Sequence, residues 1–135
     1  MDVSTLFHLL VIALFLAVFG EASLAKIVDR STPDWFVDKY RGTWMGRLPA
    51  PLLWWTIALL ELGTAGLFLA ALVTGEPFAG ETELTALGLA AATLVFVVLC
   101  FGLRVALDYA GAANAFFYAA LTVLLYAAID LGALT

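Results

Sequence analysis

The stretch Trp54–Phe68, WWTIALLELGTAGLF, decides the fold. It sits inside an apolar run from Leu52 to Val73, and the only charge in that run is Glu61. A helix rising ~1.5 Å per residue needs about 20 residues to cross a ~30 Å hydrocarbon layer, and this run is long enough. Three others match it: Leu6 to about Ala25, Leu84 to Leu103, and Ala112 to about Leu134. The runs are too long for strands and lack the alternating polarity of a barrel wall. With 64% hydrophobic and 13% charged residues in a chain of 135, the composition is that of an integral membrane protein. The expected fold is all-α: one domain, residues 1–135, built as a bundle of four transmembrane helices.

The basic residues orient such a bundle, because Lys and Arg are retained on the cytoplasmic side. Lys26, Arg30, Lys39, Arg41 and Arg47 fall at or in the first connection, and Arg104 falls at the third. The second connection, TGEPFAGETEL, carries Glu76, Glu81 and Glu83 and no base. The first and third connections are therefore expected to face the cytoplasm, with both termini outside the cell membrane. ASLAK at residues 22–26 offers small residues at Ser23 and Ala25 for a signal peptidase. Asp2 in place of a basic start and Glu21 in the recognition segment argue instead for a retained first span.

Residue counts exclude several kinds of chemistry within one chain. Cys100 is the single cysteine and His8 the single histidine, so a disulfide, a Cys-x-x-Cys redox pair, a thiolate metal site and a bis-His haem are all ruled out. No metal site or intrinsic cofactor is expected, and nothing points to nucleic acid. His8, near the start of span 1, reads as an interfacial residue, and Cys100 as a small core hydrophobe.

The first connection, KIVDRSTPDWFVDKYRGTWMGRLPAP, carries a helix-start signal: Ser31 or Thr32 as a cap, Pro33 in the first turn and Asp34 beside the positive end of the dipole. A short amphipathic interfacial helix from about Pro33 to Arg41 follows. Trp35, Phe36 and Tyr40 would turn to lipid or bundle, and Trp44 would join them in an aromatic belt. One reading is a surface-lying anchor; the other is a docking surface or lid built on Trp35, Phe36, Tyr40 and Trp44.

Glu61 lies nine residues into its run, ~14 Å deep and close to the midplane. A charge there costs at least ~2.5–3.5 kcal/mol on insertion scales and is usually turned inward. Gly63, Thr64, Ala65 and Gly66 beside it are small enough for helices to approach closely. Spans 1 and 3 both close on Phe-Gly followed by charge, Phe19-Gly20-Glu21 with Lys26 and Phe101-Gly102-Leu103-Arg104 with Asp108, a pattern that hints at a two-fold repeat of helix pairs. The expected ion pair is Glu21 with Arg104, supported by Lys26 and Asp108, with Arg104 and Asp108 also spaced for pairing along one helix face. Glu61 would meet an extended Arg104, or a hydrogen bond from Tyr118 or Asn114. Glu21, Lys26, Glu61, Arg104, Asp108 and Asn114 thus form the candidate polar cluster, either a clasp fixing helix register or a ligand or proton site.

Taken together, Phe19-Gly20 with Lys26 downstream, the Pro33–Phe36 connector, Glu61 in span 2, Gly75-Glu76-Pro77-Phe78 after it and Phe101-Gly102-x-Arg104 closing span 3 resemble the DoxX-like four-helix membrane proteins, a group that includes the MauE and NACHO types. The resemblance covers nearly the whole chain and implies the fold and the membrane. It also implies association with membrane oxidoreductase or assembly complexes; thiol chemistry of the MauE kind is not expected with Cys100 alone. Two functions follow. One is a non-catalytic accessory or assembly subunit docking a partner membrane or redox protein. The other is an oxidoreductase subunit binding quinone or another lipophile, with Glu61 and Arg104 on the head group. Four short helices enclose little volume, so a transporter would require a homo-oligomer.

Overall fold

The computed structural model describes residues 1–131, and among them the chain is all-helical, with no strand. Four long helices contain the apolar runs: α1 (Val3–Val28), α3 (Ala50–Val73), α5 (Glu83–Val105) and α6 (Tyr109–Asp130). Each is long and apolar enough to cross a membrane, which fits a multi-pass membrane protein. Two short helices lie in the connections, α2 (Asp34–Tyr40) and α4 (Glu76–Ala79), and a single 3-10 turn covers Trp44–Arg47. The expected end of the fourth span, residues 132–134, lies outside the described residues.

Helix starts follow local chemistry. Asp2 accepts a hydrogen bond from Thr5 N–H and caps α1; Pro51 sits in the first turn of α3, where its missing N–H is harmless. Asp108 caps α6 by accepting from Gly111 N–H at 2.9 Å, which sets the start at Tyr109, ahead of the apolar run proper.

The inward stripes repeat every three or four residues. On α1 they are His8, Ile12, Phe15, Phe19 and Ser23; on α3, Trp54, Ala58, Glu61, Ala65, Phe68 and Ala71. The extensive packing is of α1 on α3, α3 on α5 and α5 on α6. Phe15 meets Phe68 and Lys26 meets Glu61, so α1 runs antiparallel to α3; His8 meets Thr85 and Phe19 meets Phe96, so it runs parallel to α5. Where lipid replaces water outside, burial of apolar surface gives little drive between helices, and close fit decides. Gly88 shows how close: a Cβ there would stand 2.9 Å from the fully buried Phe68 ring, so α3 and α5 meet at this separation only because position 88 has no side chain. Thr93 and Thr122 join α5 to α6 through their hydroxyls at 2.7 Å.

The seam between α1 and α6 is looser. It holds an apolar cleft of about 330 Å³ with Phe15, Val18, Phe96, Tyr118 and Leu121 in its walls. The hinted two-fold repeat does not extend to environment, since Phe19 is buried in the core whereas Phe101 is exposed against Trp44.

Candidate functional site

Lys26 follows Ser23 on the inward stripe of α1, so its side chain enters the bundle and its ammonium turns back along the helix. Nζ lies 2.8 Å from Glu61 Oε2 and 3.2 Å from Oε1, with the Ala22 carbonyl at 3.5 Å. The side chains are 16% and 7% exposed. Glu61 stands in the middle of α3, so the pair lies well inside the helical layer. One ammonium engaging both carboxylate oxygens is the arrangement in which two charges tolerate a low dielectric.

Aromatic residues wall the pair on one side. Trp54 lies two turns before Glu61 on the same face, and Lys26 Nζ sits 5.0 Å from its ring centroid. From α2, Phe36 and Trp35 pack edge-on against Trp54 at 4.9 and 5.7 Å between centroids. Phe36 and Tyr40 are buried here, whereas Trp35 is 60% exposed: α2 puts one face on the bundle and leaves one outside. Trp44, also largely exposed, sits edge-on to Phe101.

A second pair ties α2 to the α5–α6 connection. Lys39 Nζ lies 2.8 Å from Asp108 Oδ2, while Asp108 Oδ1 caps α6. The Lys39 ammonium, and after it the Gly111 N–H, hold the Asp108 carboxyl below the usual carboxylate range. Burial, and secondarily the Asp108 charge, push the Tyr40 phenol up. Gly102 admits that phenol: a Cβ there would be 2.9 Å from the Tyr40 hydroxyl.

A third polar set lies toward the other end of the bundle. Glu76, in α4, is buried and accepts from Leu84 N–H, Thr85 N–H and the Thr85 hydroxyl, so its carboxylate caps α5 from outside the helix. Thr85 Oγ1 is 2.8 Å from His8 Nε2, and His8 is 1% exposed. Because the hydroxyl hydrogen goes to Glu76, the oxygen is left to accept, which places the imidazole hydrogen on Nε2. His8 is therefore a core residue joining α1 to α5; the interfacial reading fails because Thr85 and Glu76 supply a polar partner in the core that periodicity on α1 alone does not reveal.

The structure thus brings Lys26 to Glu61 but does not bring Glu21 to Arg104. Glu21 is exposed on the outer side of α1, and Arg104 lies over the Tyr109 ring at 5.2 Å. Nor do Arg104 and Asp108 pair along a helix, because α5 ends at Val105 and the chain turns at Leu107, whose φ is 61°. Asn114 is exposed on α6, and Tyr118 packs on Phe96 in the wall of the α1–α6 cleft; neither is bonded to Glu61, whose oxygens meet Lys26. Glu76 and Thr85 are functional-site residues that do not stand out in the sequence. The one signal is a set of acids, Glu76 and Glu81, upstream of the helix start Glu83-Leu84-Thr85, since carboxylates favour helix N-termini, and it does not tell Glu76 from Glu81.

Among the described residues no three His, Cys, Asp or Glu side chains gather as a metal would require. Comparison with protein-family models, with curated proteins and with solved structures gives no match. Fold and site define an all-helical chain with four helices able to span a membrane and ion-paired or hydrogen-bonded carboxylates between them.

Proposed function

We propose that this is a multi-pass cell-membrane protein of the DoxX-like group acting as a non-catalytic accessory or assembly subunit of a membrane complex. The observation that carries the reading is the closure of the Lys26–Glu61 pair: both oxygens of Glu61 are engaged by one ammonium, leaving a clasp between α1 and α3 rather than a free acid or base. The distribution of Lys and Arg puts the first and third connections on the cytoplasmic side. In that orientation α2 lies along the interface, with Phe36 and Tyr40 inward and Trp35 outward, while Trp44 stands exposed over Phe101, and each of the two exposed rings suits a partner surface.

The α1–α6 cleft favours a second reading, a lipophile or quinone subunit. Its walls are apolar and do not include Glu61 or Arg104, so a head group held there would not meet the residues expected to bind it.

Purification of the full chain in mild detergent, with quantitative recovery of co-purifying membrane proteins and extraction of quinone, separates the two. The accessory role predicts a partner recovered with wild type and lost with Trp35→Ala plus Trp44→Ala, while the melting temperature stays within a few degrees. Stoichiometric quinone in the wild-type chain, lost on Leu121→Trp, which fills the cleft, and with no partner recovered, would overturn it.

A further inference from the structure

α6 stands at the end of the row of long helices, with its extensive packing on α5 alone. Its buried face is Ala112, Ala115, Thr122 and Ile129. On the side turned away from that face, Ala110, Asn114, Phe117, Leu121, Leu124 and Ala128 recur at alternating steps of four and three residues, the 3.5-residue period of a helix seam. Five of the six are exposed, Phe117 at 65% and Leu124 at 67%. Any lipid-facing helix leaves a stripe of this period, so the period alone names no partner. Asn114 does.

Asn114 lies five residues past the start of α6 at Tyr109, ~7 Å along the helix, and its side chain is too short to reach back to the interface. Among the described residues, the side chain of α6 that hydrogen-bonds within the chain is Thr122, to Thr93 and the Ala119 carbonyl. The Asn114 amide thus presents two N–H donors and a carbonyl acceptor to hydrocarbon, unmet. The outward sides of the other long helices offer no counterpart inside the span. α1 carries Glu21, whose charge repels its own copy; α3 carries Thr56, whose hydroxyl returns to the Leu52 carbonyl; α5 carries Arg104 in its last turn.

The group that answers an amide in full is another amide, each donating an N–H to the other's carbonyl. Two copies inserted the same way into one bilayer are related by a two-fold axis along the membrane normal, so their α6 helices run parallel and equivalent seam residues face each other. Asn114 then meets Asn114, and a single Asn in such a seam fixes the register and favours two strands. A lipid does not answer it, because headgroup atoms lie at the interface above Asn114 and an acyl chain has neither donor nor acceptor. We propose that the chain forms a parallel homodimer across α6, with the two Asn114 amides paired at the axis and Phe117, Leu121 and Leu124 packed on their counterparts. The assignment rests on the four long helices lying in a bilayer, and is independent of any partner docked at Trp35 or Trp44.

The test uses the full chain reconstituted in phosphatidylcholine vesicles over a range of protein-to-lipid ratios. In a Cys100→Ala background, which removes the single cysteine, Phe117→Cys or Leu124→Cys is introduced and oxidised with copper phenanthroline. Both cross-link about tenfold or more faster than Val123→Cys, which is also exposed but lies off the seam, because a disulfide needs Cα atoms within about 7 Å. Energy transfer between N-terminally labelled copies gives the dissociation constant. Asn114→Leu raises it about fivefold or more, which corresponds to about 1 kcal/mol for an interhelical hydrogen bond in a bilayer. Unchanged circular dichroism shows that the variants fold. Wild type that stays monomeric at every ratio, Val123→Cys cross-linking as fast as Leu124→Cys, or a dissociation constant unmoved by Asn114→Leu overturns the proposal. So does Asn114-dependent recovery of a different protein in place of the second copy. Partner recovery in the Trp35 and Trp44 variants reads the accessory role separately.

Discussion

Lys26 Nζ lies 2.8 Å from Glu61 Oε2, and this one contact ties the last turn of α1 to the middle of α3. Both charges are largely withdrawn from solvent, so removing either strands the other. Lys26→Met is expected to destabilise the chain by about 3 kcal/mol, the low end for a broken buried pair because the ammonium is 16% exposed. Lys26→Met with Glu61→Leu removes both charges and should recover most of that loss. Thermal unfolding in detergent of the two singles and the double gives the coupling; additive losses would show that the clasp does not act as a pair.

The Glu76–Thr85–His8 set predicts a local effect at the start of α5. Glu76→Ala leaves the Leu84 and Thr85 N–H groups without an acceptor, at a cost of about 1–3 kcal/mol. Hydrogen exchange should speed up first at Leu84 and Thr85 and much less in the middle of α5. His8 is the only histidine, so its ring nitrogens can be followed by NMR without assignment. The resonances should show the hydrogen on Nε2, and Thr85→Val should abolish the bond that fixes it there.

Why one carboxylate was legible and the other was not follows from where their partners lie. Glu61 interrupts an apolar run, and the cost of a lone charge in hydrocarbon requires an inward side chain whatever the details. Its partner could not be read, because depth counted along separate helices favours residues at similar height, while a lysine stem reaches several ångströms back along α1. Lys26 therefore reads as a support for Glu21 and Arg104, although its spacing of three from Ser23 puts it on the stripe that the fold turns inward. Glu76 lies in a connection with Glu81 and Glu83, where an acid normally stays solvated. Only the fold brings it over the first turn of α5. The four long helices were readable because hydrocarbon thickness fixes their length, whereas the order in which α1, α3, α5 and α6 pack depends on close fits such as Gly88 against Phe68.

That fit yields its own prediction. Gly88→Ala puts a methyl 2.9 Å from Phe68, and overpacking of this kind costs about 1–3 kcal/mol. Phe68→Leu alone is destabilising because it empties a fully buried site, but in the Gly88→Ala background it should cost less than in wild type. A double-mutant cycle on melting temperature checks the sign of the interaction.

The Lys39–Asp108 pair and Tyr40 bound the stability on the two sides of neutrality. The Asp108 carboxyl is held below its unfolded value near 3.8, so its contribution is present above that value and is lost as pH falls through the folded one. The phenol of Tyr40 is held above 10, so the stability it lends is present below pH 10 and is lost as pH rises through its folded value. Asp108→Asn should flatten the acid limb of a melting-temperature profile below about pH 4, and Tyr40→Phe the alkaline limb above about pH 10. If Asp108→Asn leaves the acid limb unchanged, other carboxylates set it.

Leu107 links α5 to α6 with φ at 61°, in the left-handed region that costs a residue with a side chain roughly 1–2 kcal/mol. Its N–H and that of Asp108 bond back to the carbonyls of Arg104 and Leu103, so the conformation is imposed by the way α5 terminates. The side chain is 71% exposed and forfeits little when removed. Leu107→Gly relieves the backbone while freeing the unfolded chain by about 0.5–1 kcal/mol, so the net gain should be about 0.5–1 kcal/mol. Leu107→Ala keeps the Cβ and should gain nothing. A melting temperature for the Gly variant equal to or below that of the Ala variant would mean that the strain does not exceed the entropy that Gly adds to the unfolded chain.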